Sequence, residues 1–303
     1  MRKAFTFIEM VFVIVVLGIL AKFGAEIFRN VYQNYTLSVT NNKLQTDSEI
    51  AIQQISNRLQ YRIKNSVIGR DSTGGVGDFK GLSAASGSEN YNILEWVGYD
   101  VDGWLGDDTN TTPTWSGFID VDDLVNSNVN TLVSPASDFR SGGRVDTVIQ
   151  ALSPSTTTVA DAAIIFTGSN SNVKTDYGWD TTYAYDQNDT AVQRISAASS
   201  LNQISPTAGD NFSGVDVYEQ YKMSWTAYAL ELNNRTLRLY FDYQPWRGER
   251  HTDGNSSIIM EDVTTFKFQV IGDILKVQIC VGDKNILNDV NGEYAICKEK
   301  AIF

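Results

Sequence analysis

From Phe5 to Ala21 the only polar side chains are Thr6 and Glu9, and no other stretch restricts the chain so strongly. A run like this leaves water as a helix, the form in which backbone N–H and C=O groups satisfy one another within the segment. Arg2 and Lys3 precede it and Lys22 follows. The basic start is expected to stay cytoplasmic, which places everything beyond about Lys22 outside the cytoplasm. A cleaved secretory signal fits poorly, because "LAKFGAE" lacks the small-residue exit that such signals use. A plain single-span anchor fits the length but leaves Glu9 unexplained, since a carboxylate at depth costs roughly 2.5–3.5 kcal/mol on insertion scales.

The helical pattern continues past the membrane. Leu44, Ser48, Ile52, Ile55, Leu59, Ile63 and Val67 recur at steps of three and four, with Asp47, Glu49, Arg58 and Lys64 on other faces. Neither Pro nor Gly interrupts Ala25 to Ile68, and Gly69 is the expected stop. One helix from Phe5 to Ile68 would reach about 95 Å, with Gly18 and Gly24 as its weak points. Ile27, Phe28, Val31, Tyr35 and Val39 lie on the part expected to extend clear of the domain, where neighbouring helices would have to cover them.

"RKA" followed by "FTFIEMVFVIVVLGILA" resembles the type IV prepilin signal. The resemblance implies a leader of residues 1–4, a cut by prepilin peptidase between Ala4 and Phe5, and N-methylation of Phe5. It also gives Glu9 a role as an assembly contact, its carboxylate pairing in the filament with the freed Phe5 amine of a neighbouring subunit, so that two buried charges compensate. Ala4 departs from the Gly usual in that family.

The remaining chain divides in two. Residues 70–214 read as a loop-rich region with short strands, among which "DAAIIFTGS" is a compact apolar run suited to a buried strand and "YNILEWVGYDVDGWLG" and "SGFIDVDDLV" are weaker. From Val215 onward β-branched and aromatic segments alternate with turns, an antiparallel β-meander over 215–303 in which Asn233 and Asn234 are expected to take the positive φ of a hairpin. The fold class expected is α+β: a long N-terminal helix, membrane-spanning over 5–29 and amphipathic over 30–69, packed on a C-terminal antiparallel sheet with a long insertion. "ALELNNRTLRLYF", "IIMEDVTTFKFQVIGD" and "LKVQICV" resemble the sheet of the J-type minor pseudopilin of type II secretion systems. That resemblance implies a non-enzymatic subunit that initiates or caps a pilus-like filament, anchored in the bacterial inner membrane with its C-terminal domain in the periplasm. Its partners would be other minor and major pseudopilins and the inner-membrane assembly platform. The 70–214 region is longer than that subfamily leads one to expect, which keeps open a minor pilin of a type IV pilus or DNA-uptake machine with an adhesive or ligand-binding insertion.

Chemistry-bearing motifs are sparse. The net charge of −12 argues against nucleic acid, and residues 71–138 hold twelve acids against Lys80 alone, a block that reads as solvated surface. Asp100, Asp102, Asp107 and Asp108 in "DVDGWLGDD" offer hard oxygen ligands for Ca2+, and loop calcium sites are frequent in pseudopilins, yet the spacing is not that of an EF-hand and an Asx-turn cluster is the plainer reading. His251, the single histidine, sits in "RGERHTDGN" and reads as a solvated loop residue, and no nucleophile elbow, Walker loop or dinucleotide fingerprint is present. Trp96, Trp104, Trp115 and Trp179 near acids raise a carbohydrate-binding module or anchored enzyme as a competing class, against the commoner role of core aromatics. Cys280 and Cys297, with 16 residues between them, are the only cysteines, and outside the cytoplasm such a pair is expected to be oxidised, as the pilin resemblance also implies.

Overall fold

A computed structural model describes residues 6–75, 77–85, 90–106, 112–123, 130–154, 156–183, 185–187, 191–282 and 295–303. The expected helix is there as α1, Phe7–Leu59, about 80 Å long, and it runs unbroken through Gly18 and Gly24. It stops ten residues short of Gly69. Past Leu59 the chain turns to pair with the end of a strand: Ile63 N–H donates to the Val97 carbonyl, and Tyr99 N–H to that of Tyr61. Tyr61, Ile63, Val67 and Ile68 are β-branched or aromatic and suit an extended path as well as a helix. Arg62 then closes the helix end, donating to the Leu59 carbonyl at 2.8 Å from a buried position.

Fourteen named strands make three antiparallel sheets among the described residues. The largest combines β1 (Ile68–Arg70), β2 (Phe79–Gly81) and β3 (Ile93–Gly98) with β9 (Thr226–Asn233), β10 (Thr236–Tyr243) and β11 (Asn255–Met260), in the order β11-β10-β9-β3-β1-β2. A second holds β12 (Val263–Ile271), β13 (Ile274–Val281) and β14 (Ile296–Ile302). The third, ordered β4-β7-β6-β5-β8, joins β4 (Leu132–Val133), β5 (Ala163–Phe166), β6 (Val192–Ser196) and β7 (Gln203–Pro206) with β8 (Tyr221–Ser224). Three short helices, α2 (Leu82–Ala85), α3 (Val101–Leu105) and α4 (Arg144–Leu152), complete the fold. The α+β class with a long N-terminal helix is therefore present. The C-terminal region, however, is divided among all three sheets instead of forming one meander, because β9 pairs with β3 and β8 with β5.

Strand parity explains the layering. On β3, Leu94 and Trp96 point into a core that contains Ile52, Ile55 and Leu59 of α1, Leu230 and Leu237 of the large sheet, and Val277, Ile279 and Ile302 of the second sheet. Ile93 and Val97 point the other way, onto Ile165, Trp179 and Val192 from the 70–214 region. The third sheet divides its faces likewise: Ala163 and Ile165 join that middle core, while Ile164 and Phe166 pack with Val145 and Ile149 of α4. The region expected to be loop-rich supplies β2 and β3 to the large sheet and, past about residue 100, forms with β8 a layer with a core of its own. It covers the second face of the large sheet, which is why all six residues of β3 are buried.

Long-range polar contacts bind the layers. Buried Glu95 pairs with buried Arg70 and accepts from Tyr243 Oη at 3.1 Å, while Arg70 also donates to the Trp179 carbonyl at 3.1 Å. Removing either charge of such a pair costs about 3–5 kcal/mol, because the other is left uncompensated. Asp242, at φ 62, accepts from Ser153 Oγ, Thr157 Oγ1 and Asn255 Nδ2, tying β10 to the end of α4. The β9–β10 hairpin turns on Asn234 and Arg235, both at positive φ, one residue later than the expected Asn233 and Asn234, since Asn233 already pairs with Thr236. Arg235 is held there by its guanidinium, which donates to the Gly282 carbonyl, and by its own carbonyl, which accepts from Val263 N–H.

Cys280 and Cys297 form a disulfide and stand directly opposite each other on β13 and β14. The bridge staples the second sheet next to α1, whose side chains pack on both strands. Cys280→Ser will leave one titratable thiol and lower unfolding stability by about 3 kcal/mol in the chain-entropy estimate. Thiol titration of the denatured chain and thermal melting check both effects; an unchanged melting temperature would contradict the bridge's role.

Candidate assembly helix and its N-terminal signal

The two halves of α1 differ completely in their surroundings. Leu44, Ser48, Ala51, Ile52, Ile55, Ser56 and Leu59 are buried, the stripe expected from spacing with Ala51 and Ser56 added. Ile63 and Val67 are also buried, but beyond the helix. Between Phe7 and Val39, in contrast, twenty large apolar side chains are exposed, from Phe7 at 85% to Val16 at 37%. Each offers about 1.5–3 kcal/mol on leaving water, so a stretch of this kind demands lipid or other helices around it. The helix is long and apolar enough to cross a membrane, and its most apolar window is not covered by the rest of the chain.

Glu9 sits in the first turn. Its Oε2 accepts from Thr6 N at 3.1 Å and Thr6 Oγ1 at 3.0 Å, so the carboxylate caps the start of its own helix and faces the positive end of the dipole. Two neutral hydrogen bonds do not by themselves compensate the charge once water is removed. Ala4 and Phe5, the expected cleavage and methylation positions, lie outside the described residues.

Other candidate residues take different places. Asp100 is buried and already committed: it accepts from Gly103 N at 3.1 Å, Trp115 Nε1 at 3.0 Å and Trp225 Nε1 at 3.4 Å. Asp102 is exposed, and Asp107 and Asp108 lie outside the described residues. Among the described residues no group of three or more metal-ligating side chains gathers anywhere. Asp100 therefore serves as an acceptor joining α3 to two indoles.

The acidic block is not uniformly solvated either, for Glu95, Asp100 and Asp138 are all buried. His251 is buried too, edge-on to Tyr240, with Nδ1 3.6 Å from Glu95 Oε1 and beyond hydrogen-bond reach. Burial lowers its pKa despite the neighbouring carboxylate, which keeps the imidazole neutral. The loop containing it reads as polar because its covering elements are distant in sequence. Trp96, Trp115 and Trp179 are core residues, and Trp104 alone of the four is exposed, its ring tilted against that of Trp115.

Burial pushes the Asp100 carboxyl up to about 6, against the opposing pull of its three N–H donors. With the folded value above the unfolded one, the native state binds the extra proton between them, so stability falls as pH rises from about 4 to 6. The slope from this group approaches about 1.4 kcal/mol per pH unit. Denaturant titrations at pH 4, 5 and 6 should show that component in the native chain and lack it in Asp100→Asn; parallel pH profiles would refute the assignment.

Compared with known proteins, the chain matches no family model, no curated protein and no solved structure.

Proposed function

We propose that the chain is a minor pseudopilin: a non-enzymatic subunit that inserts through the first half of α1, packs that helix against those of other pilin-like subunits, and initiates or caps a periplasmic filament of a type II secretion system. The observation that carries the reading is the division of α1. One continuous helix is a core element of the domain over Leu44–Leu59 and uncovered apolar surface over Phe7–Val39. A signal helix that is cleaved away would not need to continue into the core, and a simple anchor would not need an acid in its first turn. Glu9 supports the same reading, since its carboxylate has hydrogen bonds from Thr6 and no counter-charge among the described residues. A neighbouring subunit's free Phe5 amine would supply that charge. In this reading prepilin peptidase removes residues 1–4, the protein stays in the inner membrane, and the folded layers stand in the periplasm.

Two measurements test it. Intact-mass analysis of membrane-extracted protein should find a chain that begins at Phe5 and carries one added methyl; a chain that still begins at Met1 contradicts the proposal. Glu9→Ala should insert as well as the native chain or better, by the roughly 2.5–3.5 kcal/mol saved at depth, while cross-linking to partner pilins drops. Unaltered cross-linking would remove the assembly role.

The second half of the exposed segment gives an independent handle. Val31 is 61% exposed on α1 and lies far from the buried stripe. Val31→Asp should abolish co-purification with partner pilins and leave thermal melting of the folded layers unchanged, because the side chain is exposed and belongs to no core among the described residues. Continued assembly and secretion by this variant would overturn the structural-subunit reading.

A further inference from the structure

The 70–214 layer carries a cleft that the assembly reading leaves without a use. It lies between the loop of residues 170–187 and the turn of residues 245–248, has a volume of about 810 Å3, and is open to solvent. That size lies within the roughly 300–1,000 Å3 typical of small-molecule sites. Its two walls are fixed to each other. Gly178, at φ 77, lies so close to the Pro245 carbonyl that an added Cβ would collide with it. Trp246 Nε1 donates to the Asp161 carbonyl at 2.9 Å, and Arg247 pairs with the Asp161 carboxylate. The cleft is therefore built into the fold.

The arginines around it are already paired, and two of its carboxylates are held in place by neutral donors. Asp176 accepts from Asn172 N and Thr175 Oγ1, and Asp180 from Thr182 N and Thr182 Oγ1. Arg194 makes a two-pronged pair with Asp210 and lies over the Tyr185 ring at 3.6 Å. The side chains of Asn170, Thr181 and Tyr183 are exposed at the cleft and make no hydrogen bond among the described residues. A carboxamide, a hydroxyl and a phenol ring with a free face are the groups that a neutral polyhydroxylated ligand requires: planar and hydroxylic hydrogen-bonding partners, plus an aromatic surface for the apolar face of a pyranose ring. An anionic ligand would find both arginines paired and carboxylates in the lining, whereas sugar hydroxyls can donate to those carboxylates; a cationic ligand is the competitor that a charged comparison has to separate.

We propose that this cleft binds a neutral oligosaccharide, with Tyr183 as the stacking platform and Asn170 and Thr181 as hydroxyl partners. The proposal stands independently of the pilus reading, and it moves carbohydrate recognition away from the tryptophans: Trp96, Trp115 and Trp179 are core residues, and Trp104 lies outside the cleft. The test is titration calorimetry of the full chain in a zwitterionic, sugar-free detergent with cellohexaose, chitohexaose, maltohexaose and mannohexaose, and with octalysine as the charged comparison. At least one hexasaccharide should bind saturably. Tyr183→Ala and Asn170→Ala should each weaken it about tenfold, with unchanged circular dichroism and melting, while Trp104→Ala leaves it unaltered. Failure of all four sugars, binding of octalysine in their place, or sugar binding that survives Tyr183→Ala and Asn170→Ala while Trp104→Ala abolishes it would overturn the proposal.

Discussion

The stripe from Leu44 to Leu59 leaves water only because two separate sheets close over it. Leu230 and Leu237 approach from the large sheet and Val277, Ile279 and Ile302 from the second, so one helix face holds together two sheets whose residues lie roughly two hundred positions from it in sequence. Cross-linking β13 to β14 acts at this joint, since both strands pack on α1. The same burial gives the exposed half of α1 its lever. A helix clamped over its last four turns transmits whatever holds its first half to the folded layers, with neither Pro nor a gap in the hydrogen-bond ladder to act as a hinge.

The large sheet is the second constraint, and it works because both faces are covered. A six-stranded sheet with one solvated face would alternate apolar and polar residues; β3 instead reads Ile-Leu-Glu-Trp-Val-Gly, with every position buried. The cost of such a strand is that its polar side chain must be satisfied within the core. Glu95 meets Arg70 from β1 and Tyr243 from the end of β10, and Arg70 in turn meets the Trp179 carbonyl from the third layer. These contacts fix the relative positions of three chain segments that apolar packing alone would let slide.

This distribution explains what was legible in the sequence. The N-terminal apolar run, the helical stripe, the cysteine pair and the β9–β10 hairpin are local patterns, each complete within a few turns or a short strand pair. Their signals survive without knowledge of the rest. β3 was obscured because double-sided burial removes alternation. The end of α1 was misplaced because Tyr61 to Ile68 suit helix and strand equally, and the carbonyl of Val97 that decides the matter lies 34 residues beyond Ile63. His251, Asp100 and Glu95 read as surface groups for a similar reason: each is polar in a polar neighbourhood, and each is buried by residues from other segments.

Such interior polar residues also show why the insertion cannot be an appendage. Trp179 Nε1 donates to the Ser66 carbonyl at 3.0 Å, in the segment that leaves α1, and Asp242 on β10 takes two hydroxyl donors from residues 153 and 157. Deleting the layer past about residue 100, up to residue 214, would expose the second apolar face of β3, remove the Trp179 carbonyl from Arg70 and take the Ser153 and Thr157 hydroxyls from Asp242. The layer is thus a condition for the stability of the sheet that α1 packs on. Its outer surface is under no such requirement, and there the chain has room to place groups such as Asn170, Thr181 and Tyr183 that satisfy nothing within the fold. The exposed half of α1 and the surface of the far layer are consequently separable: substitutions at either end leave the shared core between them intact.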